Sequence, residues 1–239
     1  MKKTILDKGY IEIVDSLGDD LTPVNAARVS FGGRSNDFED RDKKLVKFLI
    51  KHKHHSPFRH QHVMMVIKAP EFVLRQWYKH VVGIESTSRH YTKDHAWNEI
   101  SGRYVEVAEY YEPKAWRKQS EDNKQASDGE LGEIEQVALD GLHKEYLKKL
   151  KETYNHMIRL GVAKEQARIM LPLSQYTKVW WTASFQSIMN FIELRDEKTS
   201  QVEIQEYAKV LKEIMLQTFP ETTKLWSEIY FENVSPNTK

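Results

Sequence analysis

The chain has 239 residues, 40% hydrophobic and 30% charged, with 36 basic against 35 acidic side chains and a formal net charge of +1. That composition is globular, and its near-neutrality argues against a protein that works by blanketing nucleic acid with positive charge, so no stable nucleic-acid partner is expected. Zero cysteines exclude disulfides, thiolate-ligated zinc, iron–sulfur clusters and a cysteine nucleophile, and fit a reducing cytoplasm.

The first ten residues carry lysines with no apolar stretch behind them, so they do not read as a secretory signal. The longest uncharged run, 179–192, is 14 residues and contains Thr, Ser, Gln and Asn. That is too short and too polar to span a bilayer, so a soluble, cytoplasmic protein is expected.

In chain order, residues 10–14 predict a strand. Thr22-Pro23 predicts a helix start, with Thr22 as the cap and the helix running through Ala27. Residues 32–36 predict a loop, and 42–51 a helix with Leu45, Phe48 and Leu49 on one face. Residues 60–68 read as a strand, and Pro70 opens a helix over 71–80.

Residues 82–100 show no period and read as loop. Tyr104, Val105 and Val107 suggest a strand, and 114–133 a polar loop with a Ser-Asp-Gly turn. Ile134, Ala138, Leu142, Tyr146, Leu150, Tyr154 and Ile158 recur at helical spacing, with Gly161 as the stop. A short helix follows over 164–170, a strand over 176–182, and helices over 184–195, 201–218 and 221–231; the last six residues read as a frayed end. No repeat or linker divides the chain. The expected fold is α+β, one helix-rich domain over 1–239 with an antiparallel or mixed sheet.

Three constellations carry candidate chemistry. His52, His54, His55, His60 and His62 cluster, but their spacing fits no metal motif, so metal is not expected. Arg75-Gln76-Trp77-Tyr78-Lys79-His80, with Ser101-Gly102-Arg103, offers cationic donors and a small-residue turn that suit an anion, against the plainer reading of a solvated helix end and loop. Arg168, and the mostly apolar 189–195 stretch around Asn190 and Arg195, hold polar groups that need a partner if buried. Arg195 alone could be a helix-dipole partner.

AARVSF (26–31), HHSPFRH (54–60), RQWYKH (75–80), NEISGRY (98–104), ARIMLPL (167–173) and MNFIELR (189–195) occur in that order. With these six segments the chain resembles the flavin-dependent thymidylate synthases over nearly its whole length. The family signature, Arg-His-Arg, seven residues, then Ser, is replaced here by Lys79-His80-Val81, with 19 residues before Ser101. Residues 84–97 therefore read as an inserted loop at the pocket edge. Arg59, Ser184 and Thr199 also stand where the family commonly has Glu, Asn and His.

The resemblance implies reductive methylation of dUMP to dTMP, with methylenetetrahydrofolate as carbon donor, FAD as hydride carrier and NADPH as reductant. It implies a homotetramer whose active sites draw on several subunits. By position, Arg195 is the catalytic arginine at the uracil ring. Gln76, Trp77, Tyr78, Lys79, Glu99, Ile100, Ser101, Gly102, Arg103, Arg168 and Arg195 match the dUMP site. Ser30, His54, Ser56, Lys79, His80, Val81, Glu99, Ser184, Gln186 and Asn190 match the FAD site. The competing readings are a related dUMP-modifying enzyme with a hydroxymethyl product, a nucleotide- or RNA-binding homologue that kept the scaffold and lost catalysis, and a metalloenzyme built on the histidine cluster.

Overall fold

Strict alternation of buried and open side chains in two long strands organises the molecule. The computed structural model describes residues 1–80, 95–106 and 109–230. In β3 (His62–Pro70), Val63, Met65, Ile67 and Ala69 face inward. In β7 (Tyr176–Ser184), Val179, Trp181 and Ala183 do the same. Apolar residues at every second position make these strands legible.

The main sheet has the order β1-β2-β3-β7-β4, with every pairing antiparallel. β1 (Lys2–Ile5) and β2 (Gly9–Leu17) form one edge, and β4 (His95–Glu99) the other. A bulge between Ile13 and Asp15 shifts the register of β2 against β3.

Helices cover the inward face. α3 (Glu71–Trp77) packs on β3, α6 (Phe185–Arg195) on β7, and α7 (Val202–Thr218) on β1 and β2. α8 (Pro220–Tyr230) lies against α7 and α2 (Asp40–Lys51), and α2 contacts α1 (Leu21–Arg28). Trp77 stacks on Phe191 with centroids 4.2 Å apart and meets Trp181 and Tyr207 edge-on. These rings tie α3, α6 and α7 to the sheet, and offset or edge-on ring contacts add to their area burial. α4 (Glu133–Arg159) and α5 (Lys164–Ala167) complete the helices, with a small second cluster of Tyr110, Leu147 and Leu150 beneath α4. Gly161 ends α4 at φ +85°, while Val162 N–H donates to the Met157 carbonyl, as anticipated for a glycine stop.

Several local expectations are corrected. The first helix begins at Leu21, not after Thr22. Thr22 instead donates through Oγ1 to Asp19, and Pro23 sits within the first turn, where its missing N–H costs nothing. Residues 95–99 are strand β4, not loop, because β7 offers a free edge and pairs Trp97 with Trp181. Residues 95–97 of the expected inserted loop thus belong to the sheet, and 81–94 lie outside the described residues.

Tyr104 and Val105 are not a strand. Both amides bond the Ser101 carbonyl at 3.0 Å, which closes a turn, and Val107 lies outside the described residues. The polar stretch 114–133 contains a hairpin, β5 (Arg117–Gln119) with β6 (Ser127–Glu130). The 234–239 end lies outside the described residues. Finally, α4 has the expected period, but Ile134, Leu142 and Tyr146 are exposed; among its apolar positions Leu147, Leu150 and Tyr154 are buried.

Candidate active site

The first group of site residues lines a cleft of about 560 Å³ at the junction of β4, β7 and α3. Glu99, Ile100, Ser101 and Gly102 contribute from the end of β4, Arg168 from the 3₁₀ turn Arg168–Met170, and Leu171 and Leu173 from the loop after it. Glu71, Arg75, Gln175 and Thr177 close it. The volume is that of a small-ligand pocket.

Hydrogen bonds hold the rim. Thr177 Oγ1 donates to Glu99 Oε1 at 2.9 Å, and Ile100 N–H to the Lys178 carbonyl at 2.8 Å. Arg103 N–H donates to Ser101 Oγ at 3.3 Å. Arg168 Nε donates to the Glu165 carbonyl at 3.3 Å, and Arg168 makes no ion pair among the described residues. Burial and the adjacent Glu99 carboxylate raise the Glu71 carboxyl above its ordinary range. The cleft thus combines cations, a backbone turn and a carboxylate pair.

The second group is strung along α6. Ser184 caps this helix by accepting from Ser187 N–H at 3.2 Å. Gln186 Nε2 lies 3.1 Å from His55 Nδ1, and His55 sits among Trp226, Tyr230 and Phe58. Burial holds the His55 imidazole below its ordinary value. Half-buried Asn190 stands one turn beyond Gln186.

At the C-terminal end, Arg195 Nε donates to His80 Nε2 at 2.8 Å. Burial, and then the Arg195 charge, push the His80 imidazole down to about 4, so it is neutral at pH 7 and accepts at Nε2. Burial also lowers Arg195 from its usual value, and Arg195 makes no ion pair among the described residues. Among the described residues nothing accepts from its remaining guanidinium donors.

The other proposed contacts fall in different surroundings. His54 is exposed, with its ring edge-on to Phe48 at 6.0 Å; Ser56 and Ser30 are also exposed. Trp77 is fully buried in the core rather than at a pocket wall. Ser184 is likewise buried, and its hydroxyl serves the helix cap. Tyr78 and Lys79 are exposed beyond α3, and Tyr78 meets Trp97 edge-on at 6.4 Å. Arg103 lies 3.6 Å from Glu165. Gln76 donates to Gln201 at 2.5 Å. Val81 lies outside the described residues.

Among the described residues, no group of three or more His, Cys, Asp or Glu could hold a metal. Among them, too, no helix is long and apolar enough to cross a membrane. Glu71, Gln175 and Thr177 were not anticipated, since nothing in their local sequence marks a ligand; only their place beside the 167–173 segment does. Arg75 was visible beside Gln76 but carried no assigned role.

Fold and site define an α+β protein with a small-ligand cleft that sets two arginines, Arg75 and Arg168, against two glutamates, Glu71 and Glu99. The sequence model of the family described as thymidylate synthase complementing protein (Thy1) matches residues 12–221. A flavin-dependent thymidylate synthase of Thermosipho africanus is 38% identical over 93% of this chain and 92% of its own. One from Thermus thermophilus is 38% identical over 90% and 74%. Among solved structures, a UMP/dUMP methylase, PolB of Streptomyces cacaoi bound with 5-Br dUMP, superposes with a TM-score of 0.79 at 26% identity, covering 95% of this chain and 97% of that one. The chain belongs to the flavin-dependent thymidylate synthase family and is an enzyme of that methyltransferase class.

Proposed function

We propose that this enzyme reductively methylates dUMP to dTMP, taking the carbon from methylenetetrahydrofolate and reducing equivalents from NADPH through FAD. The observation that carries this reading is Arg195: a part-buried guanidinium with no counter-ion among the described residues, its Nε fixed by a neutral imidazole. Such a cation asks for an anionic or anion-forming ligand. Uracil must gain electron density before its ring carbon attacks a one-carbon unit, and no cysteine is present to supply it by addition. A planar, permanently charged guanidinium beside the ring favours the ionised base.

The remaining residues have matching tasks. Arg168 and the Ser101-Gly102 turn supply donors for the nucleotide's oxygens. Gln186 and Asn190 on α6, and His80 held against Arg195 at its end, are neutral donors that suit a flavin, with the exposed cation Lys79 next to His80 in the chain. His54, Ser56 and Ser30 are open to the same ligand. Bound there, FAD supplies the hydride that converts the transferred one-carbon unit to a methyl group. Turnover in D2O with NADPH, dUMP and the folate tests the reading, because the N–H hydrogen that a reduced flavin would deliver as hydride exchanges as a proton with solvent. Deuterium-labelled dTMP is expected; a hydroxymethyl product, or none, overturns it.

Two expected results follow from the site. His80→Ala should weaken FAD binding in a direct titration, and unchanged affinity would remove His80 from the flavin site. His80 also sets a pH dependence. Its folded value is depressed to about 4 from an ordinary 6.5, so the unfolded chain binds a proton first as pH falls. Its contribution to stability is full above about 6.5 and is lost on acidification toward 4. Melting temperature should therefore fall across that window, less steeply in His80→Ala; equal slopes would contradict the assignment.

The assembly is a homotetramer in this reading. Ile134, Val137, Leu142 and Tyr146 leave much of α4's apolar stripe uncovered, at 83%, 68%, 63% and 57% exposure. The cleft lining also includes no residue of α6, as would hold for a site shared between subunits. Sedimentation should show a tetramer; an active monomer would contradict it.

A further inference from the structure

Glu203 lies in the first turn of α7 with only 4% of its surface exposed, where a lone carboxylate would be costly. It is not alone. Arg117 Nη2 donates to Oε1 at 2.7 Å, and Tyr111 O–H reaches the same oxygen at 3.2 Å. Gln201 Nε2 donates to Oε2 at 2.9 Å. Burial pushes the Glu203 carboxyl up, but the hydrogen bonds from Arg117, from its own backbone N–H and from Gln201, with the Arg117 charge, outweigh it and hold the group below its ordinary value, hence ionised.

An ionised carboxylate only accepts. Gln201 must therefore turn its amide nitrogen to Glu203, which leaves its carbonyl oxygen pointing to Gln76. Gln76 meets that oxygen with its own amide nitrogen, at 2.5 Å. The sense of a glutamine amide is ordinarily interchangeable; here one buried charge dictates it through two side chains in series. Gln76 is left with its carbonyl oxygen as the unengaged end, since nothing among the described residues donates to Oε1. Arg117 is also bound through Nε to Ser127 Oγ at 2.9 Å, so the β5–β6 hairpin is anchored to the same carboxylate.

We propose that Glu203, acting through Gln201, is a positioning residue that locks Gln76 with its carbonyl oxygen toward the nucleotide, so that this point of the site takes a hydrogen-bond donor of the substrate. The proposal rests on the reading above in which Gln76 touches dUMP. Gln201→Leu is the cleanest cut. It leaves the Arg117–Glu203 pair whole and removes no helix cap, because the Gln201 side chain does not cap α7.

The test compares the FAD-loaded wild type with Gln201→Leu, Gln76→Ala and the double variant, measuring dUMP affinity, KM, kcat and melting temperature. Gln201→Leu should raise Kd and KM for dUMP about tenfold, the scale of one lost hydrogen bond, with kcat little changed and the melting temperature lowered by a few degrees, because Glu203 Oε2 and Gln76 Nε2 each lose a partner. In the Gln76→Ala background the same substitution should add nothing, because both changes break one chain of contacts. Glu203→Gln should reproduce the KM effect and lower the melting temperature as well. Wild-type affinity in Gln201→Leu, or an equal effect in both backgrounds, overturns the relay. Gln76→Ala binding dUMP like the wild type overturns the placement of Gln76, and a wild type that binds no dUMP overturns the functional reading beneath it.

Discussion

Arg195→Ala is expected to lose most dTMP formation while retaining its fold and flavin. Arg195 closes α6, whose preceding turns are buried by Ile188, Phe191 and Ile192, so the guanidinium stands on a rigid element. Its Nε is committed to His80, which orients the plane and leaves the terminal nitrogens for the substrate in the proposed reading. Removing one aligned charge-stabilising donor typically costs about a hundredfold or more in rate. Arg195→Lys should rescue little, because a point charge does not reproduce the planar fork. A helix-dipole role would predict instead a stability loss of at most about 1 kcal/mol with normal turnover. Turnover and melting temperature measured on both variants decide it; near-normal turnover in Arg195→Ala would sink the catalytic assignment.

The second large effect concerns stability. Asp42 is fully buried in α2 and pairs with Arg28 Nη2 of α1 at 2.5 Å. Ser35 Oγ donates to the same carboxylate at 3.1 Å, and Glu39 N–H to its other oxygen at 2.9 Å, completing a capping box. Arg28 also donates to Ser35. This cluster braces the 29–36 loop that carries Ser30. Arg28→Ala would leave a buried carboxylate without its cation, at a cost of about 3 kcal/mol or more. For a chain of this size that lowers the melting temperature by roughly 6–12 °C. Asp42→Asn keeps the shape without the charge and should cost less. Calorimetry on the two variants checks the order. A loss under about 1 kcal/mol in Arg28→Ala would mean the carboxylate does not need the pair. If the loop carries a flavin contact, Arg28→Ala should also bind FAD more weakly.

How much of this was legible in the sequence depended on where each segment's stabilisation comes from. β3 and β7 were readable because apolar residues at every second position serve one buried face. β4 was not: His-Ala-Trp-Asn-Glu has no β-branched residue, and it is a strand because the far edge of β7 has unpaired backbone to offer. The β5–β6 hairpin is equally unmarked. Its residues are polar, and the Arg117–Glu203 contact that anchors it joins positions 86 residues apart. Conversely, Tyr104 and Val105 have strand-like side chains, but the Ser101 carbonyl captures their amides first.

The site divides in the same way. Chain order and residue type by themselves determined the family segments, the absence of a thiol nucleophile, and the candidacy of Arg195, Arg168 and the Ser101-Gly102 turn, because those are properties of residues and their neighbours along the chain. Only the tertiary structure decided that Trp77 is core and that Ser184 is a helix cap. The same holds for His80, which meets Arg195 across 115 residues as a neutral acceptor, and for Glu203, which sets the sense of Gln76 through Gln201. Burial, protonation state and hydrogen-bond direction are set by what packs against a group, and packing joins residues whose separation along the chain carries no local signal.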